Sequence, residues 1–519
     1  MSVARFARLL LVLLPALVFV CAPSTGSAKP AATPAYETWT IAELHAAMDR
    51  HTLTSEQLTQ YFLDRIARYD RKGPELNAVI ELNPDALTIA RKLDAQAPHG
   101  LLYGIPVLIK DNIDTADAMH TTAGSLALVD SRPRADATLV SRLRAAGAVI
   151  LGKTNLSEWA NFRGKHPISG WSARGGQTRN AYAPTRSPCG SSAGSGVAVA
   201  AGFAVVAVGT ETDGSVVCPS SVNGIVGIKP TLGLVSRSGI VPISTSQDTA
   251  GAMAHDVADA ALLLQAMAGA DPYDAATKPL PASLPAQLNT GAADLRGVRL
   301  GVVRNQTGDL RSVNRLFDTT LARLRAAGAV LVDVDMPAAP TLGDDETTVL
   351  QYEFKDGIRR YLATRNGGPK TLAALIAFDN AHAARELALF GQETFIASEA
   401  RGPLTDKAYL DARRRAKRAA GRDGIDALLQ QHHLAALIAP TMAPAWPIDP
   451  VLGDHFVGAG VSQRPAVAGY PHITVPMGLV SGLPVGFSLV GTAWDDAKLI
   501  ALAAAFEKIT PKLPPPALQ

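Results

Sequence analysis

Apolar positions along this chain follow two different periods. From Leu58 they recur at Phe62, Ile66 and Tyr69, the three-to-four-residue step of an amphipathic helix. Just before, Thr40 with Glu43 and Thr54 with Gln57 have the spacing at which an N-cap hydroxyl and the side chain three residues on satisfy each other's backbone amides. Helices are therefore predicted to start after Thr40 and after Thr54. Farther along, apolar residues form short unbroken blocks at 105–109, 148–151, 205–208, 298–303, 330–334 and 434–439, several separated by helical stretches such as 313–327. Blocks of that length read as strands. Near the C-terminus, 473–477 and 485–490 flank the turn sequence GLVSGLP and predict a hairpin, which makes the sheet mixed rather than all parallel. The expected fold is α/β: one large domain over 36–519, its central mixed β-sheet covered by helices on both faces. No internal repeat is visible, and the Pro-rich patches at 278–286 and 513–516 read as surface loop and tail.

Residues 1–28 stand apart from this pattern. Arg5 and Arg8 precede an apolar run over 9–20, and Gly26-Ser27-Ala28 offers the small residues a signal peptidase requires. That order predicts a cleaved export signal, a mature chain starting near Lys29, and a periplasmic or extracellular address. The apolar run is short for a bilayer span, so no stable membrane segment is expected after cleavage. Lipoprotein processing at Cys21 is disfavoured by the bulky Val18-Phe19-Val20 before it.

Charge and cysteine content narrow the function further. Cleavage would take two arginines and no acid from 49 basic and 46 acidic residues, leaving a nearly neutral protein with no electrostatic case for a nucleic-acid partner. The one basic run, Arg413-Arg414-Arg415-Ala416-Lys417-Arg418, reads as the solvated face of a helix. Cys189 and Cys218 are too few for a disulfide scaffold; an oxidising compartment would permit a bridge between them, and their pairing stays open.

Two local motifs lose on context. Gly147 to Thr154 spells G-x4-G-K-T, but a helix precedes Gly147 and 148–151 is itself strand-like, whereas a phosphate loop needs a strand first and free amides within. Gly190-Ser191-Ser192-Ala193-Gly194 has the form G-x-S-x-G, yet Pro184 and Pro188 keep the preceding segment from being the central strand a nucleophile elbow requires. The eleven histidines contain no H-E-x-x-H pattern, and no metal or cofactor is expected.

Three segments in fixed order carry more weight: GIPVLIKDN (104–112), SPCGSSAGSG (187–196) and GTETDGSVVCPSSVNGIVGIKPT (209–231). Together they resemble the amidase signature family from about residue 38 to the C-terminus. The likeness is greatest to its bacterial peptide amidases, which also carry ETDGS and a stretch like the WSARGGQTRN of 171–180. The resemblance implies a serine amidohydrolase that converts carboxamides, among them the C-terminal amides of peptides, to carboxylate and ammonia. It implies Ser215 as the acylated nucleophile, Ser191 as a relay behind a cis bond from Gly190, and Lys110 as the base. Amides of Thr212, Asp213 and Gly214 are the expected oxyanion hole, Ser192 is expected to position Ser191, and Asp248 to cap backbone nearby. Two departures from the commoner family pattern, Asp213 and Val217, are shared by peptide amidases; Val217 replaces an arginine and would leave Glu211 without its usual partner. Related alternatives are an amidase for aryl or fatty acyl amides and a glutamine-hydrolysing amidotransferase subunit. The protein is expected to act as a monomer on a small-molecule or peptide amide.

The chemistry makes one demand on Lys110. A serine hydroxyl needs an adjacent base, and these motifs hold no histidine. A lysine can serve only when burial favours its neutral amine, against a reference pKa of about 10.4.

Overall fold

The computed structural model describes residues 34–291, 294–458 and 460–518. The predicted export signal lies outside them. Tyr36–Gln519 forms one compact unit. Among the described residues no helix is long and apolar enough to cross a membrane.

Both capping boxes form. Thr40 accepts from the Glu43 amide while Glu43 accepts from that of Thr40, and Thr54 and Gln57 do the same, so helices run over Ile41–Asp49 and Ser55–Tyr69. The second buries Leu58, Phe62 and Ile66 on the face its period requires.

The strands, in chain order, are β1 Val79–Leu82, β2 Pro106–Lys110, β3 Val149–Thr154, β4 Trp171–Ser172, β5 Gly176–Gln177, β6 Val206–Glu211, β7 Val226–Lys229, β8 Thr249–Ala254, β9 Arg299–Val303, β10 Val330–Val334, β11 Ala436–Pro440, β12 His472–Val480 and β13 Leu483–Val490. All but the small β4–β5 hairpin join one eleven-stranded sheet, in the order β1-β3-β2-β6-β8-β7-β12-β13-β11-β9-β10. β2 runs parallel to β3 and β6, β9 parallel to β10 and β11, and antiparallel pairs link these groups, so the sheet is mixed as expected. Every residue of β2, β3, β6, β8 and β13 is buried. Since successive side chains alternate between faces, both faces of those strands are covered.

The G-K-T segment is settled by β3, which extends past the expected 148–151 to Thr154. The chain passes from the helix Thr138–Ala145 through Gly147, at φ +83°, into the strand, and Lys153 is fully buried within it. Strands β7 and β8 escaped the apolar pattern. β8 reads TAGAMA and lies between β6 and β7; a Cβ on its Gly251 would meet Ile228 O at 2.5 Å and Val216 Cγ2 at 3.1 Å. Small residues let the segment after Ser215 pack directly on the sheet.

The basic run occupies the helix Lys407–Ala420, which buries Tyr409, Ala412, Ala416 and Ala420. Arg414 and Arg418 pair with Asp411 and Asp423 on its outer side, and Arg415 pairs with the buried Asp345 of the helix Leu342–Ala363.

Candidate active site

Lys110 is the last residue of β2 and is fully buried, because β3 and β6 flank the strand. Its Nζ lies 2.7 Å from Ser191 Oγ, 2.9 Å from Thr210 Oγ1 and 3.3 Å from Thr210 O. Asn112 Nδ2 donates to the same Thr210 Oγ1 at 3.0 Å. Loss of hydration pushes the amine down to about 7, opposed by the Asp248 and Glu211 carboxylates. This is the depression that the chemistry of a lysine base demands.

Ser191 follows a cis peptide from Gly190, and its carbonyl accepts from the Ser157 amide at 3.1 Å. Glycine fits closely before it: a Cβ at Gly190 would stand 2.1 Å from Ser157 Oγ and displace that hydroxyl, which accepts from Gly170 N at 2.9 Å. Ser192 begins the fully buried helix Ala193–Ala200 and does not end a strand, so the elbow geometry is absent there. Its hydroxyl donates to Thr210 O at 3.0 Å and accepts from Thr210 N at 3.1 Å. Its side chain pins Thr210, which in turn holds the Lys110 amine.

Ser215 sits in the turn between β6 and the short helix Val217–Val222, 8% exposed, behind Gly214 at φ +77°. Its carbonyl accepts from the Ser192 amide at 3.2 Å, which ties the two serine segments together. Glu211, at the end of β6, closes the turn: its Oε2 accepts from Val216 N at 2.7 Å and Val217 N at 3.0 Å. Burial raises the Glu211 carboxyl, while the Lys229 ammonium of β7 and the amides of Val216, Val217 and Gly214 oppose that rise. Glu211 Oε2 keeps the Val216 and Val217 amides, but its buried Oε1 has no hydrogen-bond partner among the described residues, in line with the expectation that Val217 removes the usual one.

Asp248 caps backbone as expected, accepting from Ile243 N and Ser244 N at 2.8 Å each, and also from Thr212 Oγ1 at 2.6 Å. Burial lifts its carboxyl to about 6. On the other side of the turn, Gln247 Nε2 donates to Thr212 O at 3.2 Å and to Glu346 Oε1 at 2.8 Å, and Gln463 Nε2 donates to Glu346 Oε2 at 2.9 Å. Desolvation and the neighbouring Glu346 push the Asp213 carboxyl well above its usual range. The sequence reading missed Thr210, Asn112, Lys229, Glu346 and Gln463. The first three lie inside or beside the matched motifs and could have been found by asking what a buried lysine or glutamate must bond. Glu346 and Gln463 carry no sequence signal, since only folding brings the helix Leu342–Ala363 and the 462–463 segment to the turn. Cys189 and Cys218, left open in sequence, are disulfide-bonded.

Comparison with known proteins is consistent with this geometry. The Amidase family model matches residues 57–500. The native peptide amidase from Stenotrophomonas maltophilia, a solved structure, is 52% identical with a TM-score of 0.88, covering 93% of this chain and 99% of its own. A probable amidase of Arabidopsis thaliana is 38% identical over 98% of this chain and 97% of its own. A glutamyl-tRNA(Gln) amidotransferase subunit from Salinispora tropica is 35% identical over 92% of this chain and 99% of its own.

Proposed function

The chain belongs to the amidase signature family and is a hydrolase of amide bonds; from that premise we propose that it is an exported amidase that cleaves the C-terminal carboxamide of peptides by acylation of Ser215. The observation that carries the proposal is the Lys110 amine, buried, depressed to about 7 and 2.7 Å from Ser191 Oγ. A neutral amine fits its surroundings: two N–H bonds serve Thr210 Oγ1 and Thr210 O, and the lone pair faces the Ser191 hydroxyl. Ser191 passes its proton to Lys110 while taking that of Ser215, whose Oγ attacks the carboxamide carbon. The amides of Thr212, Asp213 and Gly214 stabilise the oxyanion, each such donor contributing about 3 kcal/mol in comparable sites. Collapse breaks the C–N bond, and the proton returns from Lys110 through Ser191 to the departing ammonia. Water then hydrolyses the ester and restores Ser215, so amide plus water gives acid plus ammonia.

Likeness to a solved peptide amidase over nearly its full length supports the peptide substrate class. The order of charge, apolar core and small residues in 1–28 supports export, as does a disulfide, which persists in oxidising compartments. The test is product analysis by mass spectrometry against peptide amides, fatty amides, anilides and free glutamine, with peptide acids expected from the first. Turnover of free glutamine alone would favour the amidotransferase-subunit reading, to which the 35% identical relative points.

A further inference from the structure

One covalent link joins the two serine-bearing segments. Cys189 stands two residues before Ser191 and Cys218 three residues after Ser215, and the two are bonded to each other. Both are buried, in an apolar cluster with Val222, Ala445 and Trp446.

Each end of the bridge sits where motion would reach a hydroxyl. Residues 187–190 form no helix or strand, so no ladder of backbone bonds holds the approach to Ser191. On the other side, the Cys218 amide donates to Gly214 O at 2.8 Å, so a shift of Cys218 is transmitted to the Gly214–Ser215 turn. Apart from the bridge, hydrogen bonds that span the two segments include Ser192 N to Ser215 O at 3.2 Å, Ser192 Oγ to Thr210 O at 3.0 Å, Thr210 N to Ser192 Oγ at 3.1 Å and Asn223 Nδ2 to Pro188 O at 3.0 Å; of these only the last holds residues 187–190, ahead of Ser191. A proton relay through two hydroxyls tolerates little misplacement, since an error of about 1 Å can cost about a hundredfold in rate.

We propose that the Cys189–Cys218 bridge is a redox-dependent positioning clamp, which holds Ser191 in register with Ser215 when formed and leaves a folded but slow enzyme when open. The inference rests on the Ser191–Ser215 reading above. Closure is a thiol–disulfide exchange with an external disulfide: one cysteine thiolate forms a mixed disulfide, and the second displaces it. The protein loses two protons and two electrons, and the oxidant leaves as two thiols. A chain made in a reducing compartment therefore turns amides over slowly until it meets such an oxidant.

The experiment follows full-length enzyme treated with dithiothreitol, then with oxidised glutathione. Thiol titration reports the bridge, circular dichroism the fold, and mass spectrometry the serine acylated by a fluorophosphonate probe. In the reduced, folded enzyme, kcat and the acylation rate of Ser215 should fall about tenfold or more while KM stays within about twofold. Oxidised glutathione should restore both. The double variant Cys189→Ser/Cys218→Ser, assayed at a temperature where its fold is native, should match the reduced enzyme and answer to neither reagent; it also decides the matter if the bridge resists reduction or if reduction unfolds the chain. Unchanged kcat in folded protein without the bridge, with only a lower melting temperature, would show that the bridge stabilises and does not position, and would overturn the clamp alone. Acylation of a serine other than Ser215, in either redox state, would instead overturn the reading of the site.

Discussion

Replacing Lys110 by arginine separates a proton-transferring amine from a mere positive charge. With its amine at about 7, Lys110 is about half neutral at pH 7, about nine-tenths at pH 8 and about one-tenth at pH 6. Arginine, with a pKa above about 12, has a neutral share below about 10⁻⁴ at pH 8, so nothing accepts the Ser191 proton. General-base assistance is worth about 10² to 10⁴. We expect kcat/KM for a peptide amide to fall by about 10³, or about 4 kcal/mol of barrier. An activated ester should lose less, because its leaving group departs without a proton. The assay compares Lys110→Arg with Lys110→Met at pH 8, after circular dichroism shows both folded; similar losses identify the missing base as the cause. In the unaltered enzyme the acid limb of kcat/KM should fall as pH drops through about 7, where the coupled Lys–Ser–Ser unit takes up a proton. Near-normal amidase activity in Lys110→Arg would refute the mechanism, since a permanently charged side chain would then suffice.

Ser215→Ala should abolish turnover and probe labelling, whereas Ser192→Ala should keep labelling at Ser215 but lose about 1–3 kcal/mol of stability, because both of its bonds to the buried Thr210 backbone go; labelling that follows Ser192 in peptide mapping would restore the elbow assignment. Gly190→Ala should lower kcat by about a hundredfold, since its Cβ would stand 2.1 Å from Ser157 Oγ and push the Ser191 loop away; steady-state kinetics and a melting curve check whether turnover falls without global unfolding. The mature protein should be recovered outside the cytoplasm with an N-terminus near Lys29, and Edman sequencing that finds Met1 retained on cytoplasmic protein would remove the export proposal. Dialysis against a chelator should leave activity unchanged, and recovery dependent on an added divalent ion would count against a serine–lysine mechanism.

What could be read in advance follows from how local each determinant is. The capping boxes at Thr40 and Thr54, the apolar blocks that became β2, β3, β6, β9, β10 and β11, and the β12–β13 hairpin are properties of contiguous residues, so period and turn chemistry sufficed to place them, although β10, at the sheet edge, buries only Val334. Lys110, Ser191 and Ser215 were nameable because each lies in a contiguous segment, 104–112, 187–196 or 209–231, that resembles the motifs of the amidase signature family. The remainder belongs to distance in the chain. β8 is made of small residues because it fits between β6 and β7 under Val216, a constraint set by neighbours and invisible in TAGAMA itself. The depressed amine of Lys110 arises because β3 and β6 exclude water from the end of β2, and Thr210, a hundred residues away, receives its N–H bonds. Glu346 and Gln463 meet beside the Ser215 turn through the packing of two helices, Leu342–Ala363 and Gln463–Ala468, that share no motif. The sequence by itself thus determined which side chains could do the chemistry; only the tertiary structure decided their protonation and their partners, because both depend on the groups that folding gathers around a buried charge.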